Sequence, residues 1–304
     1  MERDFMDIDG GVLEGGGQIL RVAVSLSAIL RIPIRVTNIR AGRKQPGLKA
    51  QHLEGIKLVA QMCGAEIHGT EIGSTEIQFK PGNNGIMGGE YYCDTKTAGY
   101  FTSMGPLYLF HTLLKLTHVI PLQIDYLKDV FRHMLYKFGA DFSVEIERRG
   151  YFPRGGGSVR VSVSPVRRLQ PLVCTEPMDL VRVRGWCYVA GKLPFQVGLV
   201  ATTVSESYEN KTLAAARAAT DLADMLAAGL CADHHLQDQM IIYMALAAGR
   251  SALRVGEITL HTRTAIHIAE TIAKVKFSIR EEGATNVVEC EGLAVGAGGG
   301  AADT

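Results

Sequence analysis

Three times along the 304-residue chain, an apolar-striped segment stops at a tight turn and gives way to two short β-type runs. "LVAQMCGAEIHGTEIGSTEIQFKPG" closes a helix at Gly64 and then supplies two strands across a turn. "MLYKFGADFSVEIERRGYFPRGGGSVRVSVSP" does the same after Gly139, and Gly64-Ala65-Glu66 is echoed by Gly139-Ala140-Asp141. "TIAKVKFSIREEGATNVVECEG" gives helix, strand, turn and strand a third time. One such unit cannot bury its own apolar face, so units of this kind stack. The pattern predicts an α/β (α+β) fold of small sheets, each covered on one face by helices. We place the units at about 1–82, 88–165 and 178–292, within a single domain over 1–292, with 293–304 as a disordered tail.

Helical spacing supports this division. Ile19, Leu20, Ala23, Leu26 and Leu30 lie on one stripe, and Leu53, Ile56, Ala60 and Cys63 on another. The second unit holds a strongly apolar run from Leu107 to Leu116 and the amphipathic "DYLKDVFRHMLYKFG". The third holds an alanine-rich helix from Leu213 to Leu226 and a further one in "LQDQMIIYMALAAG". Gly198 to Lys211 reads as a polar connection.

Composition narrows the class. Hydrophobic content of 47%, 34 glycines and a single tryptophan describe a soluble globular protein with many turns. No apolar stretch is long enough to cross a bilayer, and the acidic start "MERDFMDIDGG" is unlike a secretory signal. Six scattered cysteines without a C-x-x-C pair point to reduced thiols in the cytosol or nucleus, not to a secreted protein. The net charge of +1 says little, but two loops are basic: Arg40, Arg43, Lys44 and Lys49 in one, Arg148, Arg149 and Arg154 in the other. They are either solvated surface or phosphate contacts.

In "GGVLEGGGQILR", three glycines open the first helix directly after Glu14, with Arg21 one turn inside. Such a start can receive an anion on bare N–H groups, with Glu14 as a ligand for a bridging Mg²⁺, or it can simply allow close packing. It is not a P-loop, because Gln18-Ile19 stands where Lys-Ser/Thr is required. "YFPRGGGSV" reads as a hairpin turn, and "DTKTAG" as a helix entry with an ordinary cap. "CADHH" matches no common zinc spacing, and His261 and His267, six apart, do not share a helix face. His261 itself stands where a β-type run stops and a helix begins. There it is either a cap or core filler, or a nucleophile at a phosphate-binding helix start.

Taken together, "LEGGGQILR", "IRAGRKQPGLKAQHL", "GSTEI", "DTKTAG", "RGYFPRGGG", "LQDQ" and "LHTRTAIH" resemble the RNA 3'-terminal phosphate cyclases, in order and over nearly the whole chain. The resemblance implies a fold of repeated β-α-β-α-β-β units. It implies ATP as substrate and Mg²⁺ or Mn²⁺ as metal. It also implies attack by His261 on the α-phosphate, transfer of AMP to an RNA 3'-phosphate, and closure by the 2'-hydroxyl to a 2',3'-cyclic phosphate. A neutral imidazole is required for attack, and a helix start disfavours the charged form.

By the same likeness, His235, Asp238, Gln239, Arg21 and Pro121 would line the ATP site, and Arg40, Arg43 and Gln51 would face phosphates of ATP or RNA. Glu14 would hold the metal. The partners implied are RNA 3'-phosphate ends and ATP, with no membrane, in the nucleoplasm or cytosol.

Some family features are missing. His235 replaces the usual adenine-stacking tyrosine, the "GGT" loop before "PLQIDY" is absent, and so is most of the small inserted α/β domain after "VAGKLPFQV". The chain reads as a shortened form. A non-catalytic cyclase-like protein of ribosomal RNA processing is the rival class, and His261 with Asp238-Gln239 favours the enzyme. A small-molecule transferase sharing the fold is a third class, against which the cyclase motifs stand.

Overall fold

The computed structural model describes residues 4–94, 99–104, 121–150, 156–176 and 220–296. Three four-stranded sheets organise them. The first unit runs β1 (Met6–Asp9), α1 (Gly17–Leu30), β2 (Ile34–Thr37), α2 (Ala50–Cys63), β3 (Glu66–His68) and β4 (Ile77–Lys80). Its strand order is β1-β2-β4-β3, with β1 parallel to β2 and the other pairs antiparallel.

The middle unit contributes β5 (Glu90–Asp94) and β6 (Gly99–Met104). A helical stretch, α3, follows from Pro121 to Lys137, widened by a π turn at Leu127–Phe131. β7 (Phe142–Arg148) and β8 (Gly157–Val163) then form a hairpin. The third unit comprises β9 (Val173–Cys174), α4 (Gln237–Leu246), β10 (Arg250–Val255), α5 (Leu260–Ala273), β11 (Phe277–Glu282) and β12 (Thr285–Glu291). Its order β9-β10-β12-β11 and its strand directions reproduce those of the first unit.

The helix ends follow the local chemistry. Gly64 ends α2 and Gly139 follows α3 with φ of 60° and 81°, the left-handed region that an absent Cβ makes accessible. The third unit makes the same exit with Lys274 at φ 58°, so the glycine echo weakens there while the geometry persists. Inward-facing aliphatic stripes of α1 and α5 are almost wholly buried and pack against each other. On α4, Tyr243 sits 5.7 Å from Phe131 and 6.0 Å from Phe138, ring centre to ring centre, joining the middle and third units. The Cys93 thiol of β5 reaches the Glu54 carbonyl of α2 and so links the first two.

Three expectations need correction. The segment "DTKTAG" was expected to open a helix, yet β5 ends at Asp94 and β6 begins at Gly99. β6 is antiparallel to β5 and parallel to β8, so the middle sheet keeps the strand order of its neighbours with one direction reversed. Tyr100, Phe101 and Thr102 are strand formers, and they outweigh the capping potential of the hydroxyls before them. The third sheet also starts before the expected boundary at 178, since Val173 and Cys174 pair with Ala252 and Leu253.

The last correction concerns the tail, whose first residues are ordered. Leu293, Ala294 and Val295 donate their N–H groups to carbonyls of Ala245, Ala247 and Leu246. They satisfy the open end of α4 while Val295 is buried. The expected alanine-rich helix at Leu213–Leu226 is helical over its described part, 220–226, whereas its residues before 220, the expected helix at Leu107–Leu116, the connection at Gly198–Lys211 and the tail beyond Gly296 lie outside the described residues.

Candidate active site

Three helix starts meet at one point, and each presents its second residue there: Gln18 of α1, Asp238 of α4 and His261 of α5. The Gln18 amide nitrogen donates to Asp238 Oδ2 at 2.9 Å and to the His261 carbonyl at 3.0 Å. Its oxygen lies 2.5 Å from His261 Nδ1. Because the amide nitrogen is committed to two acceptors, Oε1 must face the ring as acceptor, and Nδ1 carries the hydrogen. The lone pair of the neutral ring then belongs to Nε2, which has no hydrogen-bond partner among the described residues. His261 is exposed, whereas Gln18 and Asp238 are buried.

Local sequence explains each start. Thr259 caps α5 by accepting from the Thr262 N–H at 3.1 Å, which sets His261 in the first turn. The α1 start has no side-chain cap: Gly16 precedes it in extended conformation, so no cap side chain claims its first N–H groups. A Cβ on Gly16 would fall 2.1 Å from Glu14 Oε1, and one on Gly17 would fall 2.4 Å from His52 Nε2. Side chains at either glycine would displace Glu14 or His52, and α2, which carries His52 and the buried Gln51, adjoins the same region. The glycine loop is fastened to α5 through the Glu14 N–H, which donates to Thr264 Oγ1 at 3.3 Å.

Polar groups around this point are incompletely paired. Glu14 Oε1 accepts from Arg43 Nη2 at 2.5 Å, while Glu14 Oε2 is buried without a partner. Arg21 Nε is also buried and unpartnered. Burial pulls the Arg21 guanidinium down from its usual value, and the charges of Asp238 and Glu14 act against that pull. Such orphaned groups are costly and rare unless a ligand completes them. A single carboxylate oxygen beside bound phosphates is a sufficient protein contribution to a Mg²⁺ or Mn²⁺ site, so Glu14 fits that role. Among the described residues there is no cluster of three His, Cys, Asp or Glu side chains for a metal.

The remaining expected residues are placed as follows. Arg40 Nη1 donates to the carbonyls of Gln45 and Gly47 at 2.9 and 3.0 Å, so its guanidinium holds its own loop. Gln239 donates to the His235 carbonyl at 2.6 Å. His235 is exposed and packs edge-on to Tyr126, with ring centres 6.3 Å apart. Pro121 opens α3, and its side chain lies outside the described residues.

Sequence reasoning missed Tyr126 and Asp233. The Tyr126 hydroxyl donates to the Asp233 carboxylate at 2.6 Å, and Asp233 caps the chain ahead of α4 by accepting from His235 and Leu236 N–H groups. Burial first, then Asp233, pushes the Tyr126 phenol well above its usual value. Gln18 was noted only for not being lysine. The signal available was a polar residue at the head of an otherwise apolar stripe.

The family model described as RNA 3'-terminal phosphate cyclase matches residues 12–279. This chain belongs to that family. It is 32% identical to a protein of Drosophila melanogaster named RNA 3'-terminal phosphate cyclase, over 95% of this chain and 97% of the fly protein. Cyclases so named from Pyrobaculum aerophilum and Methanopyrus kandleri are also 32% identical, over 94% of this chain and 98% of each relative. The fly alignment spans 351 positions against a cyclase-family chain of 304 residues, so the fly protein has at least 47 residues without a counterpart here. Among the described residues, no helix of this cyclase-family chain is long and apolar enough to cross a membrane.

Proposed function

We propose that the chain converts an RNA 3'-phosphate to a 2',3'-cyclic phosphate at the expense of ATP, through an AMP-bearing His261. One observation carries this reading. His261 sits in the first turn of a helix with Nδ1 engaged by Gln18 and Nε2 left with its lone pair toward an exposed site. The Nε2 lone pair attacks the α-phosphorus, an N–P bond forms, and the P–O bond to pyrophosphate breaks, with pyrophosphate leaving. An oxygen of the RNA 3'-phosphate then attacks the AMP phosphorus and returns the electron pair to Nε2. Finally the neighbouring 2'-hydroxyl attacks the RNA phosphorus, loses its proton and expels AMP.

Arg21 and Arg43 would neutralise phosphate oxygens, and the uncapped start of α1 would add N–H donors for the same charge. Glu14 would hold Mg²⁺ or Mn²⁺, which supplies charge neutralisation on the phosphates when bound. His235, seated on Tyr126, offers a ring face for the adenine. Reduced cysteines fit a nucleoplasmic or cytosolic enzyme.

The test is incubation with α-labelled ATP and Mg²⁺, followed by a search for acid-labile label on the chain. Labelling is expected in the wild type and in His267→Ala, and is expected to vanish in His261→Ala. RNA ending in a 3'-phosphate should discharge the label, whereas RNA ending in a 3'-hydroxyl should not. If the intact chain takes no label where a full-length relative does, the absent segments have made it inert, and the reading moves to a non-catalytic cyclase-like role in ribosomal RNA processing.

A further inference from the structure

We propose that Gln18 is a positioning residue that decides which ring nitrogen of His261 carries the proton, and that Asp238 acts by holding the Gln18 amide in one orientation. The inference deepens the reading of His261 as the adenylylated residue and rests on it. A carboxamide can turn either its oxygen or its NH₂ toward an imidazole. With the oxygen toward Nδ1, the proton stays on Nδ1 and Nε2 is nucleophilic. With the NH₂ toward Nδ1, the proton moves to Nε2 and the attacking lone pair is lost.

Two contacts settle the choice. The Gln18 nitrogen faces Asp238 Oδ2 and the His261 carbonyl, and both are acceptors. Turning the amide over would set its oxygen against both of them. Gln18 is 1% exposed, so no solvent is at hand to relieve that repulsion. The clamp is also a closed ring, since the backbone carbonyl that orients the amide belongs to the residue whose side chain the amide orients.

The choice of a neutral group has its own logic. A carboxylate in direct contact with Nδ1 would fix the same tautomer but would add a negative charge that favours a protonated ring. An amide placed between the carboxylate and the imidazole passes on the orientation without the adjacent charge. In this arrangement Asp238 serves the chemistry through Gln18, besides whatever contact it makes to nucleotide.

The full-length chain, labelled with ¹⁵N-histidine, tests this by long-range ¹H–¹⁵N correlation, with His261→Ala used to assign the signal. Wild type should show His261 protonated on Nδ1. Gln18→Met, which keeps the apolar volume, should shift the ring to Nε2–H or to a mixture and slow AMP labelling by about 10²-fold. Asp238→Asn should also yield a mixture, because an asparagine offers a donor as well as an acceptor to the amide. A merely structural role for Gln18 would lower the melting temperature and leave the tautomer unchanged.

An Nε2-protonated ring in wild type, or an unaltered ring in Gln18→Met, overturns the proposal. An unaltered ring in Asp238→Asn overturns the part given to Asp238. The ring state is read without ATP. A wild-type chain that holds the Nδ1-protonated ring yet takes no label would therefore count against adenylylation and still support the clamp.

Discussion

Arg21 shows what a single buried charge implies about its surroundings. The residue is half-buried, its Nε is buried without an acceptor, and the opposing charges that act on it are Asp238 and Glu14. A hydrogen bond to a charged group contributes about 1.5–3 kcal/mol when its partner is present. Arg21→Met is therefore expected to weaken ATP binding roughly 10- to 100-fold, read by titration with a non-hydrolysable nucleotide.

A contrasting charge is Asp141, which takes two bonds from Arg132 and one from the Phe142 N–H. The Arg132 contact holds its carboxyl below the usual carboxylate value. The native state therefore binds the proton less readily than the unfolded chain does. The resulting stability is present above the unfolded value of 3.8 and is lost as pH falls through the lower folded value. Solvent reaches both partners, so the effect is at most about 1 kcal/mol. The gap in melting temperature between wild type and Asp141→Asn should be fully open at neutral pH and should close below pH 3.8.

At the scale of elements, three helix starts build the Gln18–Asp238–His261 cluster and glycine contacts hold the loops. Thr259→Ala removes the cap of α5 and should cost about 1 kcal/mol of stability, with slower labelling because the frayed turn is the one bearing His261. Gly47, at φ 81°, lies so close to Gly73 that a Cβ would sit 2.1 Å from its carbonyl oxygen. Gly47→Ala should cost at least about 2 kcal/mol in chemical denaturation, since backbone and not a side chain has to yield.

How much of this was legible differs by element. Periodicity located α1, α2, α4 and α5, and the turn residues located the β3–β4, β7–β8 and β11–β12 hairpins. The π turn inside α3 left no mark, because an amphipathic stripe survives one widened turn. β6 was misread because hydroxyls favour caps and turns alike, and the pairing that decides the matter lies with β8, far along the chain. His261 was singled out through its motif, whereas Gln18 and Tyr126 acquire meaning only from partners 243 and 107 residues distant.

At the scale of the molecule, the units are joined by different chemistries. Between the first and third the seam is aliphatic, α1 against α5, and it closes at the Gln18 cluster. Between the middle and third it combines the Phe131–Phe138–Tyr243 aromatics with the Tyr126–Asp233 hydrogen bond. Tyr126→Phe keeps the ring packing and deletes the bond to a carboxylate, at an expected cost of about 1.5–3 kcal/mol in thermal unfolding. Since Asp233 also orders the backbone at His235, the same variant should weaken nucleotide binding without altering the His261 tautomer.

The 243-position separation of Gln18 and His261 also governs when this cluster can first assemble. A ribosome must have released most of the third unit before the imidazole can meet its amide. Chains cut short before residue 261 by a premature stop codon could not form the cluster at all.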